Sequence, residues 1–264
     1  MCFIKEVAES LEKIHPLERA DHSWDNVGIL LEFTSTERKV LLCIDLTHQV
    51  LDECEALGVS SVVAYHPVIF SPIKQINQST PLLYRCINMG LSVYTPHTAL
   101  DGASNGINAW LGSLIPKTEI VDTVGFIQVF KNQSTIKEIL VALSTALSLG
   151  CVRYALAATH TLDSLPEQIA TGAGSSARSL KKLAEEVPGE KESTRALPSL
   201  VITGEASHHD LLFLNRSNVS AIILEHSRSE RGFLQRVKEH LEEDTGAEVL
   251  VSAADSDPVL FFMK

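Results

Sequence analysis

The sequence predicts an α/β protein built from two pseudo-related βαβ-containing halves, with mixed or parallel sheets flanked by helices. Three observations carry this. Short apolar runs of strand length alternate with amphipathic stretches of helix length, the pattern of parallel βαβ units. The plan occurs before residue 100 and again after residue 198. The two copies share a local match, VSSVVAYH at 59–66 and VSAIILEH at 219–226, the kind of internal similarity that marks a repeated unit.

The elements follow in order. Residues 3–14 place Phe3, Ile4, Val7, Leu11 and Ile14 on one side of a helix. WDNVGILLE (24–32) opens on the turn signal Asp25-Asn26 and runs into a strand. VLLCID (40–45) is a buried strand, 47–57 a helix that ends at Gly58, and 59–65 the next strand. Residues 80–89 form a helix capped by Gly90, and 91–95 a third strand. In the middle, FIQVFK (126–131) alternates like a strand, 134–148 is helical and 152–158 is again a strand. TGAGSSA (171–177) is a Gly/Ser turn; it lacks the lysine of a P-loop and the full dinucleotide fingerprint. The charged stretch 181–197 reads as a solvated helix end and surface loop. Strands at 199–203, 219–225 and 247–252 then alternate with helices at 207–216 and 229–243. The helix before each matched strand starts near a histidine, His48 in one copy and His209 in the other. This divides the chain into an N-terminal α/β half (1–118), a middle segment with its charged loop (119–198) and a C-terminal α/β half (199–264).

Composition narrows the function. With 264 residues, 45% hydrophobic and 21% charged, the chain has the make-up of a globular protein with a sizeable core. The formal net charge of −11 argues against a direct nucleic-acid partner, whose phosphates call for clustered Lys and Arg. No apolar run approaches the roughly 20 residues of a membrane helix, and the first twenty residues mix acids and bases unlike a signal or transit peptide. Five cysteines with no CxxC spacing imply free thiols in a reducing compartment. Cytoplasmic location is the expectation, with nucleus or mitochondrion as alternatives. A serine hydrolase is disfavoured because no G-x-S-x-G elbow is present.

Ligands of open α/β sheets collect beyond the carboxyl ends of the strands. Those ends hold Tyr65-His66-Pro67, then His97 and Asp101, then Glu205, His208, His209 and Asp210, then Glu225, His226 and Glu230. Five of the ten histidines fall there, which is more clustered than random placement. Imidazole nitrogen with carboxylate oxygen suits a divalent transition metal such as zinc, iron or manganese. His226 and Glu230 are four apart, as are His97 and Asp101, so each pair shares a helix face. Pro67 stops the strand behind His66 and fixes where its ring points. The plainer readings are a Ser227–Glu230 capping box, a turn at Asp101-Gly102 and polar histidines without ligand roles.

WDNVGILLE (24–32), AYHPVIF (64–70), TPHTALDGASNGIN (95–108), TGEASHHD (203–210) and EHSRSERGFL (225–234), taken together and in this order, resemble the NGG-one-interacting factor three family, also labelled GTP cyclohydrolase I type 2 homolog. YHP with EHS and ERGFL is similar to the eukaryotic-type branch. The resemblance implies two similar halves in one metal-site domain with a dinuclear centre between them, and toroidal hexamers. It carries the ligand roles to His66, Asp101, His226 and Glu230, and puts Tyr65 where bacterial members have a further histidine. The chain is too short in its middle for the inserted domain of longer members. One or two metal ions per chain are therefore expected. The first functional reading is a metal-dependent hydrolase of a small substrate, with Glu230 bridging and with His97, Glu205 and His208 as orienting or proton-transferring groups. No purine-reading feature supports GTP as that substrate. The alternative is a regulatory protein with a structural metal, acting through protein partners in transcription, as the family name implies.

Overall fold

The computed structural model describes residues 2–185 and 198–262. In chain order the elements are α1 (Phe3–Glu12), β1 (Gly28–Leu31), β2 (Lys39–Cys43), α2 (His48–Leu57), β3 (Ser61–Ala64), α3 (Pro81–Met89), β4 (Ser92–Thr95), α4 (His97–Gly102), α5 (Ile107–Ser113), β5 (Thr118–Val124), β6 (Ile127–Asn132), α6 (Ile136–Ala146), β7 (Arg153–Ala155), β8 (Gln168–Gly172), α7 (Ala177–Glu185), β9 (Leu200–Thr203), α8 (His208–Arg216), β10 (Ser220–Ile223), α9 (Leu234–Thr245) and β11 (Glu248–Val251). They form a mixed α/β protein with two mixed sheets flanked by helices, and the chain divides into two compact units.

The first unit holds the residues up to Ala103 together with those from Phe233 onward. Its sheet has the order β1-β4-β3-β2-β11. β4, β3, β2 and β11 are parallel, and β1 closes one edge antiparallel to β4. SVVA of β3 is buried at every position, as a parallel strand covered on both faces must be. Leu41, Val62 and Val93 of the sheet pack with Val50, Leu51 and Cys54 of α2 and Cys86 of α3. α1 buries Phe3, Ile4, Val7 and Leu11, the stripe expected from its spacing. α2 is bounded by local chemistry. Thr47 Oγ1 accepts from the Val50 N–H, and Gly58 at φ 64° turns the chain so that the Val59 N–H reaches the Cys54 carbonyl.

The second unit holds Ser104–Gly232, and its sheet has the order β5-β6-β8-β9-β10-β7. β8, β9 and β10 are parallel; β5, β6 and β7 join by antiparallel pairs. Val201, Ala221 and Ile223 pack with Leu180 and Leu183 of α7 and Leu214 of α8. α6 opens on a reciprocal cap between Thr135 and Glu138.

The structure departs from the sequence expectation in four places. β8 takes Thr171 and Gly172, which leaves only the rest of the TGAGSSA segment as turn, because both residues pair in register with β9. The helix expected over 229–243 begins at Leu234; Ser227–Ser229 and Arg231–Phe233 are single turns of 3-10 helix. Glu230 therefore caps no α-helix. In this segment the Ser229 hydroxyl donates to the His226 carbonyl at 2.6 Å and accepts from the Gly174 N–H at 2.8 Å, tying it to the β8 turn. The exposed hairpin strand β5 and the helix α5 were not anticipated. Of the charged stretch 181–197, residues 186–197 lie outside the described residues. Among the described residues no helix is long and apolar enough to cross a membrane, and all five cysteines are free.

Candidate metal centre

In the first unit the candidate groups follow the ends of β2, β3 and β4. The ladder of β3 continues past its last residue: the Tyr65 N–H donates to Cys43 O at 2.9 Å and the His66 N–H to Ile44 O at 3.0 Å. This fixes the His66 backbone, and its ring Nδ1 lies 2.9 Å from Asp45 Oδ1. His97 opens α4 in the left-handed region at φ 31°, a conformation a β-carbon disfavours. Its Nδ1 lies 2.7 Å from Asp25 Oδ1. The Asp25 side chain is fully buried, and its other oxygen accepts from the Thr98 N–H and hydroxyl. Burial pushes the Asp25 carboxyl up, but the bonds from His97 and Thr98 outweigh it and hold it below the usual carboxylate range. The His66 and His97 rings meet edge to face at 5.4 Å. Tyr65 is buried, and its hydroxyl donates to Asp101 Oδ1 at 2.7 Å. So the residue that departs from the bacterial pattern is hydrogen-bonded to one of the carboxylates expected to bind metal.

In the second unit the groups follow β9 and β10. The imidazole of His226 stands between two carboxylates. Its Nδ1 is 3.3 Å from Glu205 Oε1, and its Nε2 is 3.4 Å from Glu230 Oε1. Glu230 is only 2% exposed. Gly174, at φ 57°, lies against both: a β-carbon there would stand 2.3 Å from Glu230 Oε1 and 3.1 Å from His226 Nε2. Only glycine leaves this space open. Glu225 is in the left-handed region at φ 68° and its carboxylate accepts from Arg153 Nε at 2.6 Å. Glu205, Glu225, Arg153 and Arg178 line a cleft of about 470 Å³ that is open and polar. His208 lies on the exposed first turn of α8, its ring 5.5 Å from that of His209.

The donors suit a transition metal. They are imidazole nitrogens and carboxylate oxygens: His66, His97 and His226 each have Nδ1 against a carboxylate, and His226 has Nε2 against a second, that of Glu230. Sequence reasoning missed Asp25, Asp45, Gly174 and Ser229. Asp45 was within reach, since it ends the VLLCID run that the survey of strand ends passed over. Gly174 and Ser229 carried no such signal, because their roles depend on a contact 55 residues away in the chain.

The fold and these clusters define a class: an α/β protein with two sheets whose parallel strands end in carboxylate-held imidazoles. The chain belongs to the Duf34/NIF3 (NGG1p interacting factor 3) family, whose profile matches residues 2–258. It is 32% identical to NGG1-interacting factor 3 of Saccharomyces cerevisiae over 97% of this chain and 96% of that protein. It is 33% identical to Protein NIF3 homolog of Schizosaccharomyces pombe, with the same coverage. Among solved structures, a Bacillus cereus protein related to NIF3 superposes with a TM-score of 0.79 over 98% of both chains at 16% identity. Reduced HcgD from Methanocaldococcus jannaschii does so with a TM-score of 0.77 at 20% identity, over 94% of this chain and 96% of that one. At these identities the two structures establish the fold.

Proposed function

We propose that the protein binds one or two divalent transition-metal ions through His66, Asp101, His226 and Glu230 and uses them to hydrolyse a small polar substrate. His66, His226 and Glu230 supply two imidazoles and a carboxylate, a donor set for zinc, iron or manganese. When bound, such an ion supplies Lewis acidity toward water and toward a carbonyl or phosphoryl oxygen. The observation that carries the reading is Glu205: the same carboxylate that faces His226 Nδ1 also lines the open polar cleft. A substrate in that cleft lies beside a candidate ligand. Arg153 and Arg178 of the cleft wall orient its anionic or carbonyl groups; His97, Glu205 and His208 orient ligands or move protons, Glu205 from the cleft wall itself. GTP is not proposed. The protein acts as a homo-oligomer, in the cytoplasm.

Mass spectrometry of metal content, wild type beside His226→Ala and Glu230→Gln, tests binding. The expected result is near-stoichiometric metal that both variants lose. No metal in wild type after reconstitution with zinc, manganese and ferrous iron sinks the reading. Hydrolysis of a phosphoester and amide panel, lost in the same variants, then tests the activity.

A second reading is favoured by one observation, the name of the yeast relative as an NGG1-interacting factor. In it the metal is structural and the chain works through a protein partner in transcription. Full metal occupancy with no turnover on any substrate favours this reading.

A further inference from the structure

Two aromatic side chains of the first unit stand half in solvent beside the candidate histidines. Trp24 is 48% exposed and Phe70 55%. Their ring centres are 5.8 Å apart, with the planes at 43°. The indole also meets the His97 ring edge to face at 5.7 Å, and His97 meets His66 at 5.4 Å. Local chemistry holds the two rings in place. The indole Nε1–H donates to Asp21 Oδ2 at 2.8 Å. The Asp21 N–H donates to Thr98 Oγ1 at 3.0 Å, and the Asn26 side-chain amide donates to Ile69 O at 2.6 Å. The turn that carries Trp24 is thus tied both to α4 and to the segment that carries Phe70. Burying an aromatic ring is among the largest hydrophobic gains a fold can make. The chain's other tryptophan, Trp110, takes that gain and is 6% exposed. Trp24 and Phe70 forgo part of it, side by side.

Three features define what fits against them. The indole N–H is engaged within the protein, so Trp24 offers its ring and no hydrogen-bond donor. Two half-buried rings expose far less than the roughly 800 Å² that each side of a stable protein interface covers. The ring contacts run from Phe70 through Trp24 to His97 and His66, where metal chemistry is proposed. We propose that Trp24 and Phe70 form a subsite that takes the planar aromatic or heteroaromatic ring of a small-molecule ligand, packed against the indole next to His97. That this ligand is the substrate rests on the hydrolase reading above; the ring subsite itself needs no metal. Stacking tolerates many rings, because each has a π-face. The subsite therefore selects planar over puckered groups, and not one heterocycle over another.

Indole proton–nitrogen correlation spectra of the full chain test this, because its two tryptophans give two signals and the buried Trp110 serves as the control. The probes are benzyl phosphate and 1-naphthylmethyl phosphate, set against cyclohexylmethyl phosphate, which has the same charge and no planar ring. The planar probes are expected to move the Trp24 signal and leave that of Trp110 in place. Their Kd, read by calorimetry, should be about 5–100-fold lower than that of the cyclohexyl probe. Trp24→Ala should remove this preference, Phe70→Leu should reduce it and Trp24→Phe should keep it; an unchanged Trp110 signal shows that each variant folds. Equal Kd for planar and cyclohexyl probes, or a Trp24 signal that no probe moves, overturns the proposal. So does a Trp24 signal that moves with protein concentration in the absence of probe, which places a second copy over the rings. Planar probes bound at Trp24 in a protein that takes up no metal end the hydrolase reading and leave the subsite. Metal-dependent hydrolysis with no ring preference does the reverse.

Discussion

The β2-α2-β3 segment and the β9-α8-β10 segment are the same construction carried out twice, and they part company at one point. Thr47 and Ser207 cap their helices through the Val50 and Asp210 N–H groups at 3.3 and 3.2 Å. Gly58 and Asn218 end them in the left-handed region at φ 64° and 59°. The next residue, Val59 or Val219, returns its N–H to Cys54 O or Leu214 O at 2.9 and 2.8 Å. After that the registers differ. Cys43 pairs with Ala64, whereas Thr203 pairs with Ile223, one position earlier than the offset of 160 between residues 59–66 and 219–226 requires. A slip of one residue sends a side chain to the opposite face of a sheet. The second unit absorbs it at Glu225, which leaves the extended conformation for φ 68°, while the first unit runs on through Tyr65 in ladder geometry. Both paths end with a histidine whose Nδ1 faces the equivalent carboxylate, Asp45 or Glu205. What is held constant is the pairing of imidazole with acid, and the backbone bends to keep it.

Changes that strike one unit and spare the other sharpen this comparison. The largest effect is expected at Gly174→Ala. The new β-carbon meets Glu230 Oε1 at 2.3 Å and sits at φ 57°; strain and overpacking together cost about 2–4 kcal/mol. Denaturant unfolding should show that loss, with metal content falling alongside it.

Next is acid. Burial, and then the charge of His240, pull His15 of the first unit down to about 4. The folded state keeps His15 neutral while the unfolded chain takes up a proton near 6.5. Its contribution is therefore intact above about pH 6.5 and is lost as pH falls toward 4, reaching about 2 kcal/mol at pH 5. The protection factors of α1, which correct for the slower intrinsic exchange in acid, should fall at pH 5 relative to pH 7, and His15→Leu should abolish that fall.

Smaller effects follow at the matched caps. Thr47→Ala and Ser207→Ala should each cost about 1 kcal/mol in thermal unfolding, because each removes one acceptor from a helix N-terminus. A difference between them well beyond that size would break the equivalence of the two helices. Smallest is Gly58→Asn, which copies the second unit into the first. Nothing lies within 4 Å of a β-carbon there, and asparagine tolerates the left-handed region, so a change of only about half a kcal/mol is expected.

Much of this was legible in the sequence for identifiable reasons. Strands that are buried on both faces, such as SVVA and LVIT, announce themselves as continuous apolar runs. Gly58 and Gly90 announce helix ends. The repeat was visible in eight residues, and the candidate donors stood at the strand ends where open sheets collect ligands. What stayed hidden depends on contacts between distant residues. The register slip that demands a strained Glu225 cannot be read from either strand alone. The capping-box pattern at Ser227–Glu230 was real as a pattern, but no α-helix starts there: Ser227–Ser229 is a single 3-10 turn and α9 begins at Leu234. Asp25 looked like a turn residue, and it is the acceptor for both His97 and Thr98.

The path of the chain through the first unit bears on how the protein is made. Its sheet is completed by β11, which lies beside β2 yet is encoded more than two hundred residues later, after all of the second unit. A ribosome releases the second unit as an unbroken stretch able to close its own sheet, while the first unit waits for its last strand. Throughout that interval the apolar β2, Lys39–Cys43, has one open side of unpaired backbone donors and acceptors. The first unit, begun first, is thus the last whose sheet can be completed, and the open edge of β2 is carried through most of the chain's elongation.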